Sequence, residues 1–317
     1  MLSLIGNTPL IRIKEDITYF AKLEGANPFG SMKDRAASFV IKELLDKKLI
    51  NKKTEIIESS SGNFGIALAA VCRIYGLKFT CVIDPMIAPV NKRLLEIYGA
   101  NLICASKHDI NGSYLGDRLA IINGILSKES NTYWINQYNN PLMIRAYEES
   151  LASELLKTIK RIDAVFVPVS TCGCIAGVSR RLKEENSGTR VVAVDIQGSK
   201  IFGDSHHIRH IPGMGAPIRP ENLVHALIDQ IIVVSEDNCI EECHRLLSQG
   251  LLAGASSGAT VAAIRNTGCL TGNIVAIFPD RGDRYADTIY NNCWLKKNNL
   301  KIQDNRILSC IQNAPHP

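Results

Sequence analysis

Two rhythms of apolar and polar positions alternate along the chain. Short apolar runs bounded by polar or turn residues read as strands: Ile17 to Leu23, Glu55 to Glu58, Phe79 to Asp84, Asn101 to Ala105, Tyr133 to Gln137, Asp163 to Val169, Arg190 to Ile196, Gln230 to Ser235 and Asn273 to Phe278. Between them lie segments with helical spacing. One starts at Lys33 and carries Ala36, Phe39, Val40, Leu44 and Leu45; the others are Ile66 to Tyr75 closed by Gly76, Pro89 to Tyr98 closed by Gly99, Gly112 to Ser127, Leu142 to Ile159, Ile175 to Glu184, Asp237 to Leu247 and Thr260 to Ile264. Strand followed by helix followed by strand is βαβ logic, which predicts parallel strands. Runs such as Val165-Phe166-Val167 fit a sheet covered on both faces, so the pattern predicts an α/β protein with two open, mainly parallel sheets flanked by helices. In such folds ligands bind beyond the carboxyl ends of the strands. A polar, Pro-ended tail from Lys296 is expected to be poorly ordered.

A length of 317 residues, 46% of them hydrophobic and 21% charged, suffices for a sizeable core and for two domains. The net charge of +5 is spread along the chain, without basic runs interleaved with aromatics, so nucleic acid is set aside as a partner. Neither a secretory leader nor a membrane-length apolar stretch is read at Met1 to Asn7 or beyond, and the cytoplasm is the expected compartment. Ten scattered cysteines without a Cys-x-x-Cys pair argue for buried free thiols. Cys239 with Cys243, and His206 and His207 with His210, make incomplete metal sets, and no metal is expected.

Candidate chemistry gathers in the turns. Asn27-Pro28-Phe29-Gly30-Ser31 breaks the chain, and Ser31 can cap the helix that follows, which puts Lys33 in its first turn. Unpaired N–H groups and the positive dipole end disfavour an ammonium there and favour a neutral, nucleophilic amine. Two further turns follow strands and open helices, the geometry that offers backbone N–H groups to an anion. Ser59 to Gly65, with the Asn63 amide, suits a carboxylate; Ser170-Thr171-Cys172-Gly173-Cys174 suits a phosphate. A third turn, Gly254 to Ala259, brings Ser256 to another helix start. A reactive lysine, a carboxylate site, a phosphate site and a capping serine together describe what pyridoxal phosphate needs.

From Ile5-Gly6-Asn7-Thr8-Pro9-Leu10 to Arg284-Tyr285 the chain resembles the fold type II pyridoxal-phosphate enzymes of the cysteine synthase and cystathionine β-synthase family, which are tryptophan synthase β-like in fold. The resemblance implies a homodimer with a large cofactor domain (residues 1–36 and 145–317) and a small mobile substrate domain (37–144). It makes Lys33 the Schiff-base lysine and the catalytic base, and Asn63 the partner of the cofactor's ring hydroxyl. Ser60, Ser61, Phe64 and Gln137 become the substrate-carboxylate site, Ser170, Thr171, Cys172, Gly173 and Cys174 the phosphate loop, and Ser256 the ring-nitrogen partner. Gly213, Met214 and Gly215 should line the pocket opposite the lysine. A hydroxyl at the ring nitrogen makes a weaker electron sink than a carboxylate, so β-elimination and replacement are the expected chemistry.

The chain departs from the family pattern at Ser170, Cys172 and Cys174 in the phosphate loop, at Phe64, and at Ser150-Leu151-Ala152-Ser153-Glu154. Asp84-Pro85, Trp134 to Tyr138, Ile201 to Asp204 and Pro279 to Tyr285 resemble instead the siderophore and antibiotic branch that makes 2,3-diaminopropionate precursors. That likeness implies O-phospho-L-serine and L-glutamate as small-molecule substrates. Arg118 is then the candidate cation for their acidic groups, with Tyr138 and Ser170 as hydroxyl donors; its other reading is a solvated helix arginine. A sulfide-using cysteine synthase and a non-catalytic regulatory protein of the same fold remain open alternatives.

Overall fold

A computed structural model describes residues 1–108, 113–203, 209–268 and 270–302. The strands are β1 (Leu10–Lys14), β2 (Thr18–Leu23), β3 (Glu55–Ser59), β4 (Lys78–Ile83), β5 (Asn101–Cys104), β6 (Thr132–Trp134), β7 (Ala164–Pro168), β8 (Arg190–Ile196), β9 (Gln230–Val234) and β10 (Ile274–Phe278). The helices are α1 (Lys33–Asp46), α2 (Asn63–Tyr75), α3 (Pro89–Ile97), α4 (Leu115–Leu126), α5 (Pro141–Tyr147), α6 (Ser153–Thr158), α7 (Gly173–Glu185), α8 (Glu236–Ser248), α9 (Ala255–Asn266) and α10 (Asn292–Lys297). A four-stranded parallel sheet runs in the order β5-β4-β3-β6, and a six-stranded sheet in the order β1-β2-β10-β7-β8-β9. Only the β1–β2 pair, with Leu10 opposite Lys22 and Ile13 opposite Tyr19, is antiparallel. The fold is therefore α/β, with two mainly parallel sheets flanked by helices.

Strand periodicity explains the packing of the larger sheet. Val165 and Val167 face one apolar cluster while Ala164 and Phe166 face the other, and β10 divides its residues the same way. At these two central strands both faces are covered, which is why they carry no polar positions. The first cluster extends through α1 and α2 to Ile56, Phe79 and Cys81 of the smaller sheet, so one apolar mass joins the two sheets.

Several elements differ from the sequence pattern. Leu10–Lys14, read as part of an opening segment, is a strand because it pairs with β2. The helix expected over 142–159 is interrupted by a π turn at Glu148–Ala152, flanked by α5 and α6. Here α7 crosses so closely that a Cβ on Gly177 would strike the Ile144 carbonyl oxygen. The strand expected to reach Gln137 ends at Trp134. Helix α9 begins at Ala255, so Ser256 lies inside its first turn and not on a preceding loop. Lys296 and Lys297 belong to α10, whose Asn291 cap accepts from the Cys293 and Trp294 N–H groups; Leu295 and Ile302 are buried beside it. The rest of the tail, Gly112 at the expected start of α4, and His206 and His207 lie outside the described residues.

Candidate active site

Lys33 owes its position to neighbouring strands β2 and β10. From β2 the chain turns through a short helical turn, Glu24–Ala26, to Ser31, which bridges Asp280, while Met32 N–H donates to the Pro279 carbonyl at 2.8 Å. The N-cap of α1 is Met32, without a side-chain cap, so the expected capping residue Ser31 lies one position earlier; its hydroxyl accepts from the Lys33 N–H at 3.2 Å. A buried charge network holds the start of α1. Arg35 donates to both Glu24 oxygens (2.6 and 2.8 Å) and to both Glu154 oxygens (2.6 and 2.8 Å), and Lys22 joins Glu154 at 2.8 Å. Although burial opposes it, hydrogen bonds from Arg35 and Lys22 hold the Glu154 carboxyl down at about 2.

The Lys33 side chain enters a cleft of about 500 Å³ of empty space, lined also by Met32, Asn63, Ser170, Thr171, Cys172, Cys174, Gly213, Met214, Ser256 and Asp280. Its Nζ lies 3.4 Å from Thr171 Oγ1. Desolvation lowers the lysine pKa, against Cys174, Cys172 and Glu58, which raise it. The neutral amine expected from the helix dipole is thus favoured chiefly by burial.

Opposite the lysine, the turn after β7 leads into α7. The backbone N–H groups of Thr171, Cys172, Gly173 and Cys174 meet no acceptor among the described residues, a row of donors that suits an anion. Cys172 holds φ +61°, the left-handed conformation that favours glycine. Burial pushes its thiol up to about 12 and raises that of Cys174 further, so both are neutral. Across the cleft the Ser256 hydroxyl has no hydrogen-bond partner among the described residues.

Asn63, the first residue of α2, is held from the far side. Its Nδ2 donates to Asp280 Oδ2 at 2.7 Å and its Oδ1 accepts from Arg284. Tyr285 donates to the same Asp280 oxygen at 2.9 Å, while Asp280 Oδ1 is buried without a partner. Burial raises the Asp280 pKa against these donors. The sequence reading gave Asp280 and Arg284 no role in the site, although Asp280 directly follows the apolar strand β10, where ligand-facing residues of a parallel sheet belong.

Apart from Ser170, the remaining candidates are not among the residues that line this cleft. Ser60 Oγ turns back to accept from the Gly65 N–H at 3.0 Å, and Phe64 is buried in the apolar core. Gln137 donates to the Ser59 carbonyl at 2.9 Å. Ser61 donates to Asp84 Oδ2 at 3.0 Å. Arg118 is not on a solvated face: its side chain is 12% exposed, pairs with Asp84 at 3.2 Å and reaches Ser61 Oγ at 3.4 Å. Behind it Glu58 is fully buried, and desolvation pushes its carboxyl up to about 7 despite donors from Ser59, Trp134 and Gln137. The Ser170 hydroxyl donates to the Gly215 carbonyl at 3.0 Å. Tyr138 stands nearby, its pKa raised by desolvation and lowered by Arg118 and Arg209. Among the described residues no group of metal-ligating side chains converges: Cys239 and Cys243 face the Ala255 and Gly254 carbonyls, and His210 faces Glu236. No helix among them is long and apolar enough to cross a membrane.

A ligand presenting an aldehyde to Lys33, a phosphate to the Thr171 turn and a ring atom to Ser256 would meet the amine, the row of N–H donors and the free hydroxyl of the cleft, and such a ligand is pyridoxal phosphate. The chain belongs to the pyridoxal-phosphate dependent enzyme family, whose sequence model matches residues 1–280. It is similar to the O-acetylserine dependent cystathionine β-synthase of Helicobacter pylori, at 29% identity over 92% of this chain and 98% of that one, with a TM-score of 0.85. A hydrogen sulfide-producing enzyme of Fusobacterium nucleatum matches at 29% identity over 90% and 96%, with a TM-score of 0.81. An O-ureido-L-serine synthase variant with O-ureido-L-serine bound matches at 28% identity over 99% and 98%, with a TM-score of 0.83.

Proposed function

We propose that the protein catalyses β-replacement on an activated L-serine, joining O-phospho-L-serine and L-glutamate to give N-(2-amino-2-carboxyethyl)-L-glutamate and phosphate, a 2,3-diaminopropionate precursor. The bound cofactor supplies the electron sink for removal of the α-proton. In this reading Lys33 holds the cofactor and its Nζ, whose pKa burial lowers, then takes up that proton. Thr171 to Cys174 hold the cofactor phosphate, Ser256 meets the ring nitrogen, and Asn63 meets the ring hydroxyl by exchanging its hold on Asp280 or Arg284. Ser60, Ser61, Phe64 and Gln137 receive the α-carboxylate, with residues 37–144 closing over it and excluding water.

The serine derivatives named for two similar structures support an activated serine as the first substrate. The observation that carries the reading to acidic substrates is the Arg118 guanidinium at 3.4 Å from Ser61, a fixed cation on the loop assigned to substrate. The cofactor-loaded protein should release phosphate from O-phospho-L-serine and, with L-glutamate present, yield one equivalent of the coupled amino acid by mass spectrometry. Phosphate release accompanied only by pyruvate, whatever the glutamate concentration, would refute the second substrate.

A further inference from the structure

Gly215 and the peptide before it form a rim between the phosphate loop and a second arginine. On one side the Ser170 hydroxyl donates to the Gly215 carbonyl at 3.0 Å and the Gly215 N–H donates to the Val169 carbonyl at 2.8 Å. On the other, Arg209 Nη1 donates to the Met214 carbonyl at 2.5 Å. Gly215 has φ +68°, and a Cβ there would lie 2.6 Å from Arg209 Nη1, so glycine at this position is what lets the guanidinium reach the rim. Met214 and Ser170 both line the Lys33 cleft, so Arg209 stands one hydrogen bond from that lining.

The two arginines differ in what they already hold. Arg118 is paired with Asp84 at 3.2 Å. Among the described residues Arg209 forms no ion pair, and one of its five N–H donors has an acceptor. The other donors are not sealed in the interior. Asp195 and Glu236 are described carboxylates whose charge acts on Arg209, but Glu236 is engaged by the His210 and Ile211 N–H groups and Asp195 by the Ile196 N–H. Burial depresses the Arg209 pKa more strongly than Asp195, Glu236 and Tyr138 raise it, so an incoming anion would supply compensation that the protein does not.

We infer that Arg209, with Tyr138 beside it, receives the distal acidic group of an amino-acid substrate at the mouth of the cleft, as a second cation besides Arg118. This rests on the acidic-substrate reading above. The chemistry is one anionic oxygen cluster on a guanidinium, from either the phosphate of O-phospho-L-serine or the side-chain carboxylate of glutamate.

The test uses the cofactor-loaded protein, its Arg209→Gln variant and its Arg209→Lys variant. Glutarate, a dicarboxylate with no amine to react, is titrated by calorimetry, and KM is measured for O-phospho-L-serine against O-acetyl-L-serine. Arg209→Gln should weaken glutarate binding, or raise the phosphoserine KM alone, by tenfold or more, and Arg209→Lys should recover part of the loss. A change confined to glutarate assigns the acceptor carboxylate, and one confined to phosphoserine assigns the phosphate. Unchanged values in both arms overturn the inference, as does an equal loss in both variants accompanied by a lowered melting temperature, which marks a structural role. If the parent couples sulfide but not glutamate, the function proposed above fails, while the glutarate and phosphoserine comparisons still decide the role of Arg209.

Discussion

The two walls of the cleft are prepared differently. On the large-sheet wall the N–H groups of Thr171 to Cys174 and the Ser256 hydroxyl have no partner among the described residues, and among these the Lys33 side chain has a single 3.4 Å contact. On the small-sheet side the polar side chains assigned to the substrate carboxylate are engaged behind the cleft lining, Ser60 with the Gly65 N–H, Ser61 with Asp84 and Gln137 with the Ser59 carbonyl, and Asn63, assigned to the cofactor, is engaged with Asp280 and Arg284. A wall with free donors binds without rearranging, whereas a saturated wall must exchange one set of hydrogen bonds for another. Each exchange costs little net energy only if no donor is left unmet, so ligand should couple to movement on the small-sheet side.

The sharpest way to break this contrast is Lys33→Ala. It should cut turnover by more than about 1,000-fold while leaving the far-ultraviolet circular dichroism and melting temperature near parental values, since among the described residues the Lys33 side chain has no structural partner beyond Thr171. Full turnover in that variant would remove the lysine from the site. Next in size is Arg35→Met, which leaves Glu24 and Glu154 facing each other without their shared cation. A loss of about 3–5 kcal/mol is expected by urea denaturation, the effect of stripping one partner from a buried network. Were the loss under about 1 kcal/mol, the start of α1 would not be pinned as described.

On the small-sheet wall, Arg118→Ala should cost about 2–4 kcal/mol in kcat/KM, and Asp84→Asn combined with it should recover part of that loss, because the buried carboxylate then no longer lacks its partner. Strict additivity of the two substitutions would show that the pair does not hold the Ser61 loop.

The walls should also part company in pH dependence. Glu154 titrates near 2 when folded, below the ordinary glutamate value, so its contribution to stability is present above the unfolded pKa and is lost as pH falls toward 2. Glu58 is shifted the opposite way, to about 7; the stability linked to it is present below the unfolded pKa and lost as pH rises through 7. Denaturant midpoints against pH should therefore lose their neutral-range slope in Glu58→Gln and their acid-range slope in Glu154→Gln. The same slope surviving in either variant would reassign the shift. The smallest effect belongs to Cys172→Gly, which should be neutral or stabilise by up to about 1 kcal/mol in thermal melts because it relieves a left-handed conformation at φ +61°.

What was legible in the sequence follows the same division. The strand runs and Lys33, Thr171 and Ser256 could be read because apolar periodicity and turn chemistry are local properties. The pairing of β1 with β2, the π turn opposite Gly177 and the Arg35–Glu24–Glu154 network could not, since each depends on residues brought together from distant parts of the chain. Arg118 was legible as a candidate but its pairing with Asp84 was not. Arg209 carried no local signal at all, because the glycine that admits it lies six residues away and matters only through the fold.

Competition between nucleophiles tests the central claim most directly. The cofactor-loaded protein is given O-phospho-L-serine with equimolar L-glutamate and sulfide, and the products are quantified by mass spectrometry. The account predicts N-(2-amino-2-carboxyethyl)-L-glutamate as the main product, one per phosphate released. Cysteine as the main product, with the glutamate adduct absent, would contradict it.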